Sequence, residues 1–379
     1  MWLRTLRLAN FRNYATLELE LDEGLNFFSG SNGAGKTSIL EAVSYLAVAR
    51  SLRGSSDGEV VRWGESDFGI GGDLARGGGT SRVVLRYSRA GGKEVTVDGE
   101  SLSTLTELVG MLRVAWFSPE DTWITKGGPG ARRKLVDMTL CQTDPGYLTA
   151  LANYERARRQ RNEALASWTP DEEADRVVDA WTDRLIEYGS RVVASRLRFL
   201  PGFGAAVSRY HATVAGEDSL DVGYRSTLGA AVSAASPEGV DPRAAEDAVA
   251  GAFRAALDGV ATDERRRGFT LAGPHRDDLD IRLGGRVLRT FGSQGQHRTA
   301  AIALKLGQAA ILGEEERKVV VLLDDILSEL DAARAEALIH LVGGFGQALM
   351  TSTRPAGEWA AADGTGAAFH VEDGKVVRR

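Results

Sequence analysis

The chain has 379 residues, 43% hydrophobic and 26% charged, with a net charge of −6, the profile of a globular protein with room for two domains or for one domain carrying an insertion. Overall charge gives no nucleic-acid signal, so any basic footprint has to be local. A single cysteine, Cys141, excludes an intramolecular disulfide and a thiolate metal site and fits a reducing compartment. No apolar run approaches the ~20 residues of a membrane span, and Arg4 and Arg7 interrupt the N-terminal apolar run, so neither signal peptide nor anchor is expected.

The first segment reads as β structure. Ala15, Leu17, Leu19 and Leu21 alternate with Thr16, Glu18, Glu20 and Asp22, the pattern of a half-buried strand, and Leu6 and Leu8 suggest its hairpin partner. Leu25 to Phe28 is a short apolar strand leading into Gly30. Thr37 to Ala49 has helical spacing, with Ile39, Leu40, Val43, Leu46 and Ala47 on one face. A second hairpin is predicted at 82–97 around Arg89-Ala90-Gly91-Gly92. Val114 to Phe117 is a buried strand stopped by Ser118-Pro119. From Lys126 to Arg267 the pattern is helical, punctuated at Thr169-Pro170 and Pro201-Gly202. Within it, Ser226 to Asp241 is rich in Ala, Ser, Gly and Pro and reads as a mobile loop. The β pattern then returns, as a hairpin of 279–283 and 286–289 across Gly284-Gly285. A helix over 294–312, the strand Val319 to Leu323, a helix over 331–342 and a last strand from Gln347 to Thr351 follow. The expected fold class is α/β. One α/β domain is built from both chain ends, 1–125 and 268–379, with a mostly helical domain, 126–267, inserted between them.

Gly30-Ser31-Asn32-Gly33-Ala34-Gly35-Lys36-Thr37 is GxxxxGK followed by threonine, between a predicted strand and a predicted helix that continues through Ser38. In this pattern the glycines let backbone N–H groups turn inward around a nucleotide's β-phosphate, and the helix N-terminus adds positive potential. Lys36 reaches the β- and γ-phosphate oxygens, and the Thr37 hydroxyl ligates Mg²⁺. Val319 to Leu323 is an apolar run ending in Asp324-Asp325. A buried parallel strand reads this way, and ligands of α/β folds sit at its C-terminal edge. Asp324 is placed to hold the Mg²⁺ shell with Thr37, and Asp325 to polarise an attacking water. Lys36, Asp324 and Asp325 are thus the candidate catalytic residues. The 288 positions between Lys36 and Asp324 require an insertion.

A second glycine-containing loop, Gly292-Ser293-Gln294-Gly295-Gln296, opens a helix but carries no lysine. Ser293, Gly295 and Gln296 at a helix start make an anion site. Supplied by a second copy of the chain, this loop would close the open side of a γ-phosphate bound at Lys36.

The order of phosphate loop, long insertion, Ser-x-Gly-Gln helix, apolar strand with paired acids and Ser328-Glu329-Leu330-Asp331 resembles ATP-binding-cassette heads. Within that class the chain is similar to the RecF family of bacterial recombination mediators. Further motifs carry the likeness: Leu8 to Tyr14, Phe117 to Asp121, Lys126 to Pro129 followed by Arg132-Arg133, and Gly273-Pro274-His275-Arg276-Asp277-Asp278. The resemblance implies ATP and Mg²⁺ as cofactors. It implies an ATP-dependent homodimer in which Ser293, Gly295 and Gln296 contact the partner's γ-phosphate and Asp331 lies at the interface. Glu120 falls near the glutamine loop of cassette ATPases. Two departures, aspartate at 325 in place of glutamate and no switch histidine in Met350 to Arg354, suggest slow hydrolysis. The family further implies a cytoplasmic, nucleoid-associated protein with weak DNA-stimulated ATPase activity. It would bind duplex DNA and single-strand/duplex junctions and act with RecR and RecO in loading RecA, with no membrane partner.

Charge in the insertion is uneven. Lys126 to Arg161 holds eight basic and three acidic residues, Asn162 to Glu187 two basic and eight acidic, and Tyr188 to Arg209 four basic and none acidic. Arg132, Arg133, Arg156, Arg158, Arg159 and Arg161 are the candidate DNA contacts. The alternative is a solvated helix whose arginines pair with neighbouring acids. Arg265-Arg266-Arg267 is a second basic cluster, either contact or linker. His275 and Arg276, beside Asp277 and Asp278, form either a self-satisfied turn or a DNA contact. A transporter ATPase would want a fuller signature loop, a switch histidine and a shorter middle. The head of a chromosome-organising complex would want a coiled-coil arm far longer than this insertion.

Overall fold

Val320, Val321, Leu322 and Leu323 are each at most 1% exposed, which requires cover on both faces of their strand. The computed structural model supplies it. It describes residues 1–216, 218–229, 232, 241–314, 318–354 and 366–379, so most of the 226–241 loop lies outside the described residues. The chain divides into two compact units, 1–121 with 301–379, and 122–300.

In the first unit, Leu25–Ser29 (β3), Val114–Phe117 (β8), Val320–Asp324 (β12), Ala348–Ser352 (β13) and Gly366–Glu372 (β14) run parallel in the order β14-β3-β13-β12-β8, with Lys375–Arg378 (β15) antiparallel at the edge. Trp2–Phe11 (β1) and Tyr14–Glu20 (β2) form the predicted first hairpin, Leu6 opposite Leu19 and Leu8 opposite Leu17. They belong to a second, antiparallel sheet of order β2-β1-β4-β5-β6-β7, completed by Asp67–Arg76 (β4), Gly79–Ser88 (β5), Gly92–Val97 (β6) and Glu100–Ser101 (β7). One helix, Lys36–Val48 (α1), shares a continuous apolar core with both sheets. Because the parallel strands point the same way, Ser29, Asp324 and Ser352 end on one edge, with Asp324 beside Thr351 and Ser352 beside Ser29.

The second unit contains Pro129–Thr143 (α4), Pro145–Ala166 (α5), Glu172–Ala215 (α6) and Pro242–Arg267 (α7). With them is a three-stranded sheet of Leu220–Arg225 (β9), Asp278–Leu283 (β10) and Arg286–Val287 (β11). Two short helices, Asp57–Val60 (α2) in the first unit and Thr122–Lys126 (α3) in the second, join elements. Among the described residues no helix is long and apolar enough to cross a membrane.

Several expectations change. The second unit returns at residue 300 rather than 267, because β10 pairs along its whole length with β9 and Asp278 is ion-paired to Arg132. Leu288 and Arg289 leave the hairpin for a helical turn, Leu288–Phe291 (α8). Pro201 does not end its helix: α6 runs 44 residues through it. A proline inside a helix costs about 3 kcal/mol, and the buried stripe of Leu197, Leu200, Phe203 and Val207 on either side offsets it. Strand β4 escaped notice because Gly69, Gly71 and Gly72 depress strand propensity. A Cβ at Gly72 would lie 2.6 Å from Leu46 and 2.9 Å from Leu3, so the gap in side chains is where α1 seats on the sheet.

Candidate functional site

The loop between β3 and α1 is wrapped by the turn of the first hairpin. Asn13 Nδ2 donates to the Ala34 carbonyl at 3.0 Å, and the Tyr14 hydroxyl to the Gly35 carbonyl at 3.2 Å. Gly35 has φ +113°, and a Cβ there would meet Asn13 Nδ2 at 2.5 Å, so only glycine satisfies both backbone and packing. Ser31, Asn32 and Gly33 are exposed, Gly30 and Ala34 are buried, and Thr37 and Ser38 begin the helix half-buried. Lys36 is 6% exposed. Its ammonium donates to the carbonyls of Gly30 and Ser31, each at 2.8 Å. Burial holds its pKa below the ordinary lysine value, against the opposing charges of Asp325 and Asp324.

The acids arrive from β12. Thr37 Oγ1 donates to Asp324 Oδ1 at 2.7 Å, and the Thr351 hydroxyl lies 3.0 Å from the same oxygen. Burial raises the Asp324 pKa above the usual carboxylate value; the two hydroxyls and Arg53 oppose it, and Glu120 adds to it. Asp325 sits in the left-handed region at φ 52°, its N–H donating to Thr351 Oγ1 at 2.9 Å. Its Oδ1 is buried without a hydrogen-bond partner, a costly state for a carboxylate oxygen. A threonine hydroxyl and a carboxylate are the hard oxygen donors that suit Mg²⁺, which takes its other ligands from phosphate and water. Thr37 and Asp324 would hold it, and the orphaned Asp325 oxygen fits a site that water or nucleotide completes.

Three contributors went unread in the sequence: Asn13 and Tyr14, which clamp the phosphate loop, and Thr351, which ties both acids. The first two lie in the quoted Leu8 to Tyr14 motif, and Thr351 is the hydroxyl at the end of an apolar strand.

The second loop is built differently. It opens the helix Gln294–Leu312 (α9). The Ser293 N–H donates to Gln296 Oε1 at 2.8 Å, and the Gln296 N–H to Ser293 Oγ at 3.3 Å. This reciprocal cap satisfies two end donors. Ser293 and Gly295 are exposed. A Cβ at Gly295 would meet nothing within 4 Å, and its φ is not among the positive values. Asp331 caps the helix Ala332–Gly343 (α10), accepting from the Arg334 N–H at 2.9 Å, and pairs with the Arg334 guanidinium.

The basic candidates separate sharply. Arg132 is buried in a bidentate pair with Asp278, at 2.6 and 3.0 Å. Arg161 is buried against Glu264, Thr182 and Thr270. A guanidinium withdrawn from solvent and bound to a carboxylate is not offered to a DNA phosphate, so these two are corrected to structural ion pairs. Arg158 pairs with Glu155 at 2.6 Å. Arg133 is half-buried and donates to the Asp277 carbonyl, while Arg156 and Arg159 are exposed on α5. Asp277 and Asp278 are satisfied, but not by their neighbours His275 and Arg276. Asp277 accepts from Tyr224, Ser226 and Thr227, and Asp278 from Arg132 and Arg225. Arg265 pairs with Asp175 and Arg266 with Asp263.

Residues 2–375 match the family described as the RecF/RecN/SMC N terminal domain. The chain is 39% identical to the DNA replication and repair protein RecF of Salinibacter ruber, over 93% of this chain and 85% of that one. It is 33% identical to RecF of Bacillus subtilis over 100% of both. The solved structure of the recombination mediator protein RecF-ATP in the RecFOR pathway superposes with a TM-score of 0.88 at 31% identity, covering 100% of this chain and 97% of that one. Sequence and ATPase-head fold agree along the whole length, and the chain belongs to the RecF family of DNA replication and repair proteins.

Proposed function

We propose that this chain is an ATP-driven DNA clamp of recombinational repair. The hydrogen bond from Thr37 to Asp324 carries the reading, because it joins the phosphate loop to the acidic strand end. ATP lies with its phosphates in the Gly30–Ser38 loop, where Lys36 exchanges its two carbonyl partners for phosphate oxygens. Mg²⁺, held by Thr37 and Asp324, supplies charge neutralisation there. Asp325, whose orphaned oxygen can accept a proton, orients and deprotonates the attacking water.

The γ-phosphate is closed off by Ser293, Gly295 and Gln296 of a second copy, with Asp331 at the same interface. The open space around Gly295 supports this, since no neighbour among the described residues requires a glycine there. Closure favours DNA binding, at duplex and at single-strand/duplex junctions, through exposed arginines such as Arg156 and Arg159 that grip phosphates without reading bases. Hydrolysis is slow and DNA-stimulated, and it resets the clamp. RecO and RecR are the partners implied by the family, and RecA loading the outcome.

Light scattering with and without ATP tests the reading. Wild type should dimerise only with ATP, and Ser293→Arg should remain monomeric while still binding ATP. A wild-type chain that stays monomeric at saturating ATP overturns it.

A further inference from the structure

The second unit holds a cavity of about 230 Å³ walled by α4, α5, α6 and the loop before β10. Leu151, Tyr154, Glu155 and Arg158 contribute from one face of α5, at the i, i+3, i+4, i+7 positions of a helical stripe. Across from them are Arg133, Arg196 and His275.

The charges of this cavity do not cancel. Arg196 is 3% exposed and tied to Asp137 at 2.8 Å, to Tyr147 and to the Pro274 carbonyl. Arg158 has Glu155. Arg132 and Arg161, elsewhere in the unit, each have a buried carboxylate. Arg133 differs: its only hydrogen bond among the described residues is to the Asp277 carbonyl, and no carboxylate comes within ion-pair distance. Burial and the nearby Arg196 charge lower its pKa, against the longer-range charges of Asp137, Asp278 and Asp277, although an arginine remains protonated. His275 adds no charge. Burial pushes its pKa down to about 3. The Tyr154 hydroxyl, 2.5 Å from Nδ1, donates to the neutral ring. Among the lining side chains three guanidiniums thus face two carboxylates, and Arg133, which Asp137, Asp278 and Asp277 reach only through space, keeps free donors at the wall of a concave site.

We propose that this cavity is an anion site that takes one phosphate group of a nucleic acid. A partly buried guanidinium without a carboxylate in ion-pair contact is stabilised by an oxyanion, and the fork suits phosphate oxygens. The volume leaves room for the phosphate and its first ester substituent. Arg159 follows Glu155 by four residues on α5, and Arg156 lies on the side of the helix away from the cavity stripe. Both are exposed and without a carboxylate partner among the described residues. The site rests on the DNA-binding reading only for the source of the phosphate.

Two measurements on the full chain test it. With the Gly30–Ser38 loop filled by a saturating non-hydrolysable ATP analogue, calorimetry with inorganic phosphate should show binding in wild type, loss in Arg133→Ala and partial retention in Arg133→Lys. In the unmutated chain, phosphate should protect Arg133 from phenylglyoxal, read by peptide mass spectrometry. This arm needs no variant to fold. Anisotropy with ATP then compares gapped duplexes bearing a 5′-phosphate or a 5′-hydroxyl. A tenfold preference for the phosphorylated gap that Arg133→Ala abolishes assigns the site to a terminal phosphate. Equal affinities, both weakened by Arg133→Ala, with the salt slope reduced by about one contact, assign it to an internal one. If wild type binds phosphate but no DNA, the anion site stands and the DNA reading falls. Absence of both phosphate binding and protection in wild type overturns the site.

Discussion

The two glycine-containing loops meet a helix N-terminus in opposite ways. Around Gly30 to Thr37 the chain closes on itself: Asn13 and Tyr14 clamp the backbone, Lys36 is buried, and Asp324 is hydrogen-bonded to Thr37. Around Ser293 to Gln296 the chain stays open, although Gly292 before it packs against Leu288 and His297. The loop caps its own helix, and the space beside Gly295 is empty. The first loop's residues are explained by their own unit. Of the second loop's residues, Ser293 and Gln296 satisfy each other and Gly295 stands open. Gly35 is demanded by packing within its own unit; under the proposed dimer, Gly295 would meet its neighbours on a second copy.

Asp325→Asn should have the largest effect. Loss of the base should lower turnover about 10²–10⁴-fold while the ATP-bound dimer persists, measured by phosphate release alongside light scattering; turnover within tenfold of wild type would remove Asp325 from the chemistry. Gly35→Ala should come next. Its Cβ would strike Asn13 and Tyr14 at a left-handed φ, and overpacking with backbone strain costs about 3 kcal/mol. Both Tm and nucleotide affinity should drop, and an unchanged Tm would break the contrast at its first half. Gly295→Ala probes the other half. Tm should hold or rise slightly, since alanine is the better helix former by up to about 1 kcal/mol, yet ATP-dependent dimerisation should weaken about tenfold, a loss on the order of 1.4 kcal/mol. Normal dimerisation would leave that glycine without a partner to explain it.

The smallest effect is on pH-dependent stability. Burial raises the Asp324 pKa, so the folded chain keeps this proton to a higher pH than the unfolded chain does. Stability contributed by the neutral acid is present below the unfolded pKa of 3.8 and is lost as pH rises through the raised folded value. Asp324→Asn should therefore raise the Tm of the nucleotide-free protein at neutral pH by about 2 °C, with the gain vanishing in acid, even as hydrolysis is lost. A lower Tm at neutral pH would show that the Thr37 and Thr351 hydrogen bonds outweigh the burial of charge.

Much of this site was legible in the chain. The phosphate loop, the apolar strand with its two acids and the lysine-free signature helix are local patterns, because a tight glycine turn, a helix start and a buried strand are each specified by consecutive residues. Strand β14 was not legible, since its place beside β3 depends on pairing with residues about 340 positions away; any number above its own length is invisible to periodicity. The arginines show the limit most clearly. Along α4 and α5, Arg132, Arg133, Arg156, Arg158, Arg159 and Arg161 look alike as letters. Two are buried ion pairs, two are exposed, one has its acid a turn away and one faces a cavity with no carboxylate at ion-pair distance.

By itself the sequence determined the local patterns: a GxxxxGK-Thr loop, an apolar strand ending in an acid pair, and a second glycine-containing helix start without a lysine. Tertiary structure decided which charges are spent. Whether an arginine meets a carboxylate depends on Asp278, Glu264 and Asp137, residues carried there by β10, α7 and α4, and that is a property of packing rather than of local pattern.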